Sequence, residues 1–230
     1  MKKFISATCM MLMMLSMNVS AKTLVVYYSY TGNCQEIVES LTSQMEADVM
    51  RIEPKDKTQK YEANNYAIGT KLLNAIKANP NDADSYPAIA PVSITDLSAY
   101  QNIIIVTPLW WSQMAAIMQT YLFNNASKMA DKHVALIVSS HSSGISGVVA
   151  DAKRLIPNAV WMGDALWINA SKHANRANMI KDWLPKLDLT TAIPQVRNTE
   201  GQDACYSLNG MRADCTSKGI YIKNGKKIVL

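Results

Sequence analysis

The stretch from residue 23 to residue 36, TLVVYYSYTGNCQE, places a short apolar segment directly before a turn of small hydrogen-bonding residues. The apolar segment is rich in β-branched and aromatic residues, which is typical of a strand buried on both faces. Apolar residues recur at helical spacing after the turn and predict an amphipathic helix. A turn between a strand and a helix N-terminus offers backbone N–H groups and the positive end of the helix dipole to an anion. The stretch therefore predicts a phosphate-binding turn, with a turn that only caps its own helix as the alternative.

The alternation of strand and helix continues along the chain. Further strands are predicted at residues 48–52, 102–106, 133–139 and 160–166, and helices at residues 61–77, 115–122, 147–155 and 171–187. Five strands that alternate with five helices are typical of a parallel, doubly wound α/β sheet. Such sheets bind ligands at the carboxyl ends of their strands. Three loops follow predicted strands, and we expect them to meet at one edge of the sheet: residues 29–34, 107–114 and 140–146.

These loops carry a resemblance to a known family. The sequence SYTGN at residues 29–33 resembles the phosphate loop of flavodoxins, which surrounds the phosphate of FMN. TPLWW at residues 107–111 resembles the PIWW loop of a flavodoxin-like subfamily, in which a tryptophan lies beside the isoalloxazine ring. SSHSSG at residues 139–144 resembles that subfamily's THGGSG loop, whose backbone lines the edge of the flavin. The resemblance covers about residues 23–190 and implies a flavodoxin-like sheet of five parallel strands in the order 2-1-3-4-5.

The resemblance implies FMN as the cofactor and places its binding residues in the three loops. A flat indole offers a stacking surface to a flat heterocycle, so Trp110 is the first candidate for the flavin ring and Trp111 the second. His141 is a candidate proton donor or ring-edge partner. The predicted cofactor-binding residues are Ser29, Tyr30, Thr31, Gly32, Asn33, Cys34, Pro108, Leu109, Trp110, Trp111, His141, Ser143 and Gly144.

Three departures from the flavodoxin pattern bear on the strength of FMN binding. Cys34 stands where flavodoxins usually carry a threonine, and a thiol is the weaker hydrogen-bond donor. Its place at a helix N-terminus predicts a lowered pKa and, without bound phosphate, a reactive thiol. Tyr30 replaces the usual arginine, and its ring is expected to cover part of the cofactor. The third loop lacks one glycine, which predicts a greater distance from the flavin ring.

The first 21 residues have the pattern of a secretory signal peptide. Lys2 and Lys3 precede an apolar run, and Val19-Ser20-Ala21 is a small-residue cleavage signal. The mature chain is therefore expected to start at Lys22 and to act outside the cytoplasm, in the periplasm or at the cell surface. In such an oxidising compartment Cys205 and Cys215 are natural disulfide partners.

The C-terminal part of the chain predicts a small β appendage. The flavodoxin-like domain is predicted at residues 22–190, a polar linker at 191–203 and a tail at 204–230. The tail contains two Asn-Gly pairs between alternating residues, which is the strongest short-range signal for a hairpin. It resembles the C-terminal β-motif of many secreted and cell-surface bacterial proteins, which implies a sorting or docking segment. A small β cap without an export role is the alternative.

The net charge and the absence of several sequence motifs exclude some classes of function. The formal net charge of +5 is too small and too dispersed to indicate nucleic-acid binding. Outside the first 21 residues no stretch is long and apolar enough to predict a membrane span. The spacing of His, Cys, Asp and Glu indicates no metal site, and neither a nucleophile elbow nor a P-loop lysine motif occurs.

The resemblance and these exclusions predict an FMN-binding electron-transfer protein that works with unidentified redox partner proteins. No catalytic residue is assigned, and an electron carrier is favoured over an FMN-dependent NAD(P)H oxidoreductase. One alternative is an FMN-dependent quinone or disulfide reductase. Another is a binding or surface protein that keeps the fold and has lost the cofactor. The oligomeric state stays open.

Overall fold

The computed structural model describes residues 21–61, 66–189, 205–207, 220–223 and 226–229. These residues belong to two compact units, which divide between residues 192 and 193. The predicted signal peptide, apart from Ala21, and the predicted linker lie outside the described residues. Within the described ranges, no helix has the length and apolar character needed to cross a membrane.

The larger unit alternates strands with helices. Its strands are β1 (Lys22–Tyr27), β2 (Asp48–Arg51), β3 (Tyr100–Trp110), β4 (Gln113–Met114), β5 (His133–Ser140), β6 (Val160–Trp161) and β7 (Leu166–Asn169). Its α-helices are α1 (Asn33–Thr42), α2 (Tyr66–Ala78), α3 (Ala116–Asn125), α4 (Ser146–Leu155) and α5 (Arg176–Trp183). Short 3-10 segments lie at Ala83–Ser85, Ala126–Met129, Ala170–Asn175 and Leu184–Lys186.

The main sheet has the strand order β2-β1-β3-β5-β6, and β7 also pairs with β5. All of these pairings are parallel, whereas the short β4 returns antiparallel to β3. The predicted doubly wound sheet is therefore confirmed, with β5 as its fourth strand and the pair β6 and β7 as its fifth. The chain moves outward from β1 to β2 and then returns to β3 on the other side, so the switch point lies between β1 and β3.

The predicted strand at residues 160–166 is wrong in its extent, because two short strands replace it. β6 pairs with the first two residues of β5, whereas β7 pairs with the last four. Between them Gly163 has a φ of +61°. A left-handed residue cannot continue an extended strand, so the chain turns there and resumes pairing further along β5.

The predicted helix at residues 171–187 is α-helical only in its middle part, α5. The Asn169 side chain accepts a hydrogen bond from the backbone N–H of Lys172 at 3.1 Å and caps a 3-10 segment instead. Pro185 lies in the final 3-10 segment, where it lacks the N–H group that an α-helix would use. The prediction is therefore wrong at both ends.

Alternate residues of the central strands divide between two hydrophobic clusters on opposite faces of the sheet. Ile103 and Ile105 belong to one cluster, Ile104 and Val106 to the other, and all four are fully buried. The period of two follows from the pleat of a strand, and burial on both faces explains the continuous apolar sequence. The second cluster also contains Ile37 and Leu41 of α1 and Ile180 and Trp183 of α5. These contacts pack α1 against the sheet, and its N-terminus lies beyond the short loop that follows β1.

The smaller unit is a three-stranded antiparallel sheet in the order β10-β9-β8, formed by β8 (Cys205–Ser207), β9 (Ile220–Lys223) and β10 (Lys226–Val229). Lys223 pairs with Lys226, so β9 and β10 form the predicted C-terminal hairpin, and β8 adds a third strand. Cys205 is disulfide-bonded. Its predicted partner Cys215 lies outside the described residues.

Candidate functional site

The loop after β1, the carboxyl ends of β3 and β5 and the start of the loop after β5 meet around one cavity of about 230 Å³. Its lining residues are Ser29, Tyr30, Thr31, Asn33, Cys34, Tyr61, Pro108, Leu109, Trp110, Ser139, Ser140, His141 and Ala170. The cavity lies at the carboxyl ends of the strands beside the switch point, where doubly wound sheets bind ligands. The structure thus brings together nine of the predicted binding residues. Gly32, Trp111, Ser143 and Gly144 lie outside the lining.

The first loop leads into α1 without a side-chain cap. Gly32 is the N-cap residue, with a left-handed φ of +92°, and among the described residues no side chain bonds to the exposed N–H groups there. A Cβ built on Gly32 would meet nothing within 4 Å, so the space beside the loop is open. The turn therefore does not cap its own helix through a side chain. Its first-turn N–H groups and the helix dipole are available to an anion.

Arg51 at the end of β2 holds the first loop from the side. Its guanidinium donates to the Ser29 carbonyl at 2.9 Å and to the Gln35 side-chain oxygen at 3.1 Å, and it forms an ion pair with Glu53. It also lies 5.9 Å from the centre of the Tyr27 ring. Sequence reasoning missed Arg51, although it is the one cation in the predicted edge strand DVMRI.

Cys34 contradicts the prediction of a reactive thiol. Its side chain is buried in the cluster beneath α1, and burial raises the thiol pKa to about 12. A hydrogen bond with Ser139 opposes this increase only in part. The predicted lowering of the pKa was wrong because loss of solvent around the thiolate outweighs the favourable helix N-terminus.

The second loop is largely a hairpin, not the open loop predicted at residues 107–114. β3 continues to Trp110 and β4 returns beside it, with Trp110 opposite Gln113. Trp111 and Ser112 form the turn with φ values of +44° and +63°. Two consecutive left-handed residues suit the twist of a tight hairpin, but they are unfavourable for residues with a Cβ. The contacts around the hairpin must therefore hold it.

The two indoles of this hairpin have different environments. Trp110 is only 3% exposed and lies nearly parallel to Tyr61, with ring centres 6.4 Å apart and an angle of 9°. Its ring also meets Tyr28 edge-on at 6.1 Å. Trp111 packs over Gly69 of α2, where an added Cβ would lie 1.7 Å from the indole. Trp110 therefore faces the cavity and Trp111 supports the hairpin, while stacking of Trp110 on a flavin ring stays a prediction.

Tyr61 is a cavity residue that sequence reasoning missed. It was predicted to begin the second helix, but α2 is described from Tyr66 onward. Burial raises the pKa of Tyr61, and the Asp56 carboxylate adds to this increase. Tyr61 lies at the cavity because it packs against Trp110, and no local sequence pattern predicts such a tertiary contact.

A polar network attaches the hairpin to α4. The backbone N–H of Met114 donates to the Asp151 carboxylate at 3.0 Å, and Asp151 forms an ion pair with Arg154 at 3.3 Å. Arg154 in turn donates to the Gln119 side chain at 2.9 Å. Gly147 approaches the turn so closely that its Cβ would lie 2.0 Å from the Ser112 carbonyl oxygen. α4 therefore contacts the hairpin in two ways. Its Asp151 carboxylate accepts a hydrogen bond from Met114, and Gly147, which has no side chain, lets the turn lie close to the helix.

The third loop reaches the cavity through its first residues only. His141 lines the cavity, and its carbonyl accepts a hydrogen bond from the Ala170 N–H at 3.1 Å. The Ser140 hydroxyl accepts from the Trp167 indole at 2.8 Å and donates to the Ser143 carbonyl at 2.9 Å. The predicted roles of His141, Ser143 and Gly144 toward a cofactor stay predictions.

The cavity suits a ligand with an anionic group and a flat apolar part. Hydroxyl groups, the first residues of α1 and the rings of Trp110 and Tyr61 all line the cavity, and no carboxylate is among the described lining residues. Enclosed sites for drug-sized ligands measure about 300–1,000 Å³. A larger ligand would therefore extend onto the rim, where Tyr30 is 40% exposed. Among the described residues, no group of three or more His, Cys, Asp and Glu could hold a metal ion.

Comparisons with known proteins agree with this architecture. A protein-family model described as flavodoxin matches residues 22–187. A flavoprotein from Lactobacillus acidophilus NCFM, solved in complex with FMN, is 20% identical, with a TM-score of 0.54 over 68% of this chain and 99% of that one. A candidate flavoprotein from Bacteroides eggerthii DSM 20697 is 22% identical, with a TM-score of 0.56 over 73% and 98%. At these identities the likeness concerns the fold. The search of curated proteins gives no match.

Replacement of Gly147 by alanine tests the contact between α4 and the hairpin. The new Cβ would lie 2.0 Å from the Ser112 carbonyl oxygen, so the turn or the helix must move. We expect the free energy of unfolding in urea to fall by about 1–2 kcal/mol, although alanine is the better helix former. Gly144→Ala is the matched control, because nothing lies within 4 Å of its Cβ, and it should change the stability by less than about 0.5 kcal/mol. Equal stability of the two variants would contradict the contact.

Alkylation of Cys34 tests the burial of its thiol. A pKa of about 12 in place of the ordinary 9.0 leaves about a thousandfold less thiolate at pH 8. We therefore expect iodoacetamide to label Cys34 at least about a hundredfold more slowly in the native protein than in urea, as measured by peptide mass spectrometry. Similar alkylation rates in the native and the unfolded protein would show that the Cys34 thiol is accessible and reactive. The thiol pKa of about 12 in the folded chain exceeds the ordinary value of 9.0 that applies to the unfolded chain. The stabilisation linked to the neutral thiol is therefore complete below pH 9 and falls as the pH rises toward 12.

Proposed function

The chain belongs to the flavodoxin family, and from this membership we propose that it binds FMN and works as an electron-transfer protein. The observation that carries the proposal is the convergence of the loop after β1 with the carboxyl ends of β3 and β5 on one cavity at the switch point of the sheet. FMN, when bound, supplies one-electron and two-electron redox chemistry, and the protein supplies binding, orientation and exclusion of water.

The first loop supports binding of the FMN phosphate. Its backbone N–H groups at the N-terminus of α1 have no side-chain cap among the described residues, and Gly32 leaves the space beside them open. The hydroxyls of Ser29 and Thr31 and the amide of Asn33 can add donors, since all three residues line the cavity. Arg51 holds the loop in shape through the Ser29 carbonyl and adds positive charge nearby. These groups compensate for the weak donor at Cys34.

The aromatic and apolar lining residues of the cavity support binding of the flavin ring. Pro108, Leu109 and Trp110 all line the cavity, and Tyr61 adds a ring parallel to Trp110. Such surfaces favour flat heterocycles through apolar contact and offset stacking. Because Trp110 is already stacked on Tyr61, its contact with a flavin would be made by the part of the ring that lines the cavity.

The chemistry of the lining favours a carrier of electrons over an enzyme with its own acid–base machinery. Among the described lining residues, His141 alone carries one of the usual general acids and bases, and the others carry aromatic, apolar, hydroxyl or thiol side chains or an amide. His141 is exposed, and no described hydrogen bond positions its ring. General acid–base catalysis relies on a positioned group with a pKa near the working pH. The proposed partners are redox proteins that donate electrons to this chain and accept them from it.

Titration with FMN tests the proposal, and Asn33→Asp separates binding from folding. Asn33 is exposed at the N-terminus of α1, so a carboxylate there interacts favourably with the helix dipole but repels a phosphate. We expect the wild type to quench FMN fluorescence saturably and the variant to bind about tenfold more weakly. The difference should shrink as the salt concentration rises.

Asn81→Asp is the control for this titration, since Asn81 lies in an exposed turn outside the cavity. It should bind FMN as the wild type does. Thermal unfolding of Asn33→Asp should show a stability equal to or above that of the wild type. Wild-type protein that folds but neither quenches nor retains FMN would overturn the redox proposal and favour a protein that has lost the cofactor.

We further propose that this protein acts outside the cytoplasm after removal of residues 1–21. Lys2, Lys3, the apolar run and Val19-Ser20-Ala21 support export. The disulfide-bonded state of Cys205 is also typical of an oxidising compartment. N-terminal sequencing of protein from the native host is expected to give Lys22 as the first residue. A protein that retains Met1 and stays in the cytoplasmic fraction would contradict export.

A further inference from the structure

The short strand β4 makes only a small pairing of its own with β3. Gln113 lies opposite Trp110, and Met114 lies opposite Leu109. The turn between the two strands consists of two residues with a left-handed backbone, which is unfavourable for residues with a Cβ. Contacts from outside the hairpin must therefore favour this conformation.

Met114, the last residue of β4, is held by side chains at both of its backbone groups. Its N–H donates to the Asp151 carboxylate of α4 at 3.0 Å. Its carbonyl accepts a hydrogen bond from the Gln119 amide of α3 at 2.8 Å. Side chains from two different helices thus hold the same residue.

Arg154 connects the two side chains that hold Met114. One nitrogen of its guanidinium donates to the Gln119 oxygen at 2.9 Å and lies 3.3 Å from the Asp151 carboxylate. Because the Gln119 oxygen faces Arg154, the nitrogen of the same amide is left to face the Met114 carbonyl. We refer to Asp151, Arg154 and Gln119 as the Met114 network.

Gln119 is the most deeply buried member of this network. Its side chain is 1% exposed, in a stretch of α3 from Ala116 to Leu122 in which every residue is buried. Burial of an amide costs free energy unless its groups are hydrogen-bonded. Both ends of this amide have a partner, and one of them is the Met114 carbonyl. A satisfied buried polar network favours one arrangement of its neighbours over the alternatives.

The network acts on the proposed FMN cavity through the end of β3. Leu109 and Trp110 line the cavity, and β4 pairs with both of them. The Ala115 N–H, next along the chain from Met114, donates at 3.3 Å to the carbonyl of Pro108, which also lines the cavity. A displacement of Met114 would therefore be transmitted to three lining residues.

We propose that the Met114 network positions the proposed FMN site, although none of its three residues is among the described lining residues. The network holds Met114, and through it the end of β3, in the conformation that presents Leu109 and Trp110 to the flavin. The inference rests on the proposed binding of FMN. A chain without the network folds but populates this conformation less, and its apparent affinity for FMN falls by the same factor.

Removal of the Asp151 carboxylate tests the inference by titration with FMN. Asp151→Ala leaves the Met114 N–H without its acceptor, so we expect FMN to bind about tenfold more weakly and its fluorescence to be quenched less at saturation. Gln119→Leu should act in the same direction, because the Met114 carbonyl loses its donor. Asp151→Asn keeps an oxygen for the Met114 N–H and should bind FMN within about threefold of the wild type.

Tyr100→Phe is the matched control. The Tyr100 hydroxyl donates to the Asp48 carboxylate at 2.7 Å, so this variant also removes one hydrogen bond between β3 and a carboxylate. Tyr100 is the first residue of β3, whereas the cavity is lined by residues near the end of that strand. The variant should lose stability in urea, as Asp151→Ala does, and keep the wild-type affinity for FMN.

Hydrogen exchange of the Met114 amide, measured by NMR without FMN, adds a readout that is independent of the cofactor. Exchange should become faster in Asp151→Ala and stay unchanged in Tyr100→Phe, because only the first variant removes the acceptor of this N–H. Circular dichroism establishes that each variant is folded.

Folded Asp151→Ala that binds and quenches FMN as the wild type does would overturn the inference, since the network would then serve stability only. Asp151→Asn as weak as Asp151→Ala would overturn it too, because the hydrogen bond to Met114 would not be the cause. Equal weakening in Tyr100→Phe would indicate a general loss of stability in place of positioning. All three outcomes leave the proposed function intact, whereas a wild type that does not bind FMN would overturn both.

Discussion

Parallel hydrogen bonding among β1, β3 and β5 is the constraint on which the candidate site depends. The registers place Tyr27 beside Val106 and Val106 beside Ile137, and beyond this level β3 and β5 continue together past the end of β1. The carboxyl ends of all three strands therefore lie at the same edge of the sheet. Every residue that follows a strand then emerges at one edge of the sheet. The loop after β1, the tryptophan hairpin (β3 and β4 with the turn at Trp111 and Ser112) and the loop after β5 are distant in sequence, yet this pairing makes them neighbours.

The same constraint explains which parts of the molecule the sequence could predict. The strands at residues 102–106 and 133–139 are continuous apolar runs, and their alternation with helices implies the parallel sheet and the meeting of the loops. Arg51 and Tyr61 belong to the site through contacts across the fold with Ser29 and Trp110, and no local pattern encodes such contacts. The division of the fifth strand depends on Gly163, whose left-handed backbone overrides the apolar pattern around it.

Cys34 shows how tertiary burial reverses a local electrostatic argument. A thiol at a helix N-terminus favours its thiolate when the helix is viewed alone. In the folded chain the same residue lies beneath α1 in contact with the sheet, and water is excluded from it. Removal of solvent from a charge is the larger effect, so the group remains neutral. The residue thereby contributes to the hydrophobic core as well as to the cavity wall.

The tryptophan hairpin combines two left-handed residues that carry side chains with two glycines that leave room for them. Gly69 lies against the Trp111 ring and Gly147 against the Ser112 carbonyl, so one added methyl group at either position would force the hairpin or the helix to shift. The consequence is evolutionary. Among descendants of this sequence, a larger residue at position 69 is expected to persist only together with a smaller one at position 111. At position 147, by contrast, the obstacle is a backbone atom, so no exchange of side chains can compensate and the glycine is the least replaceable of the set.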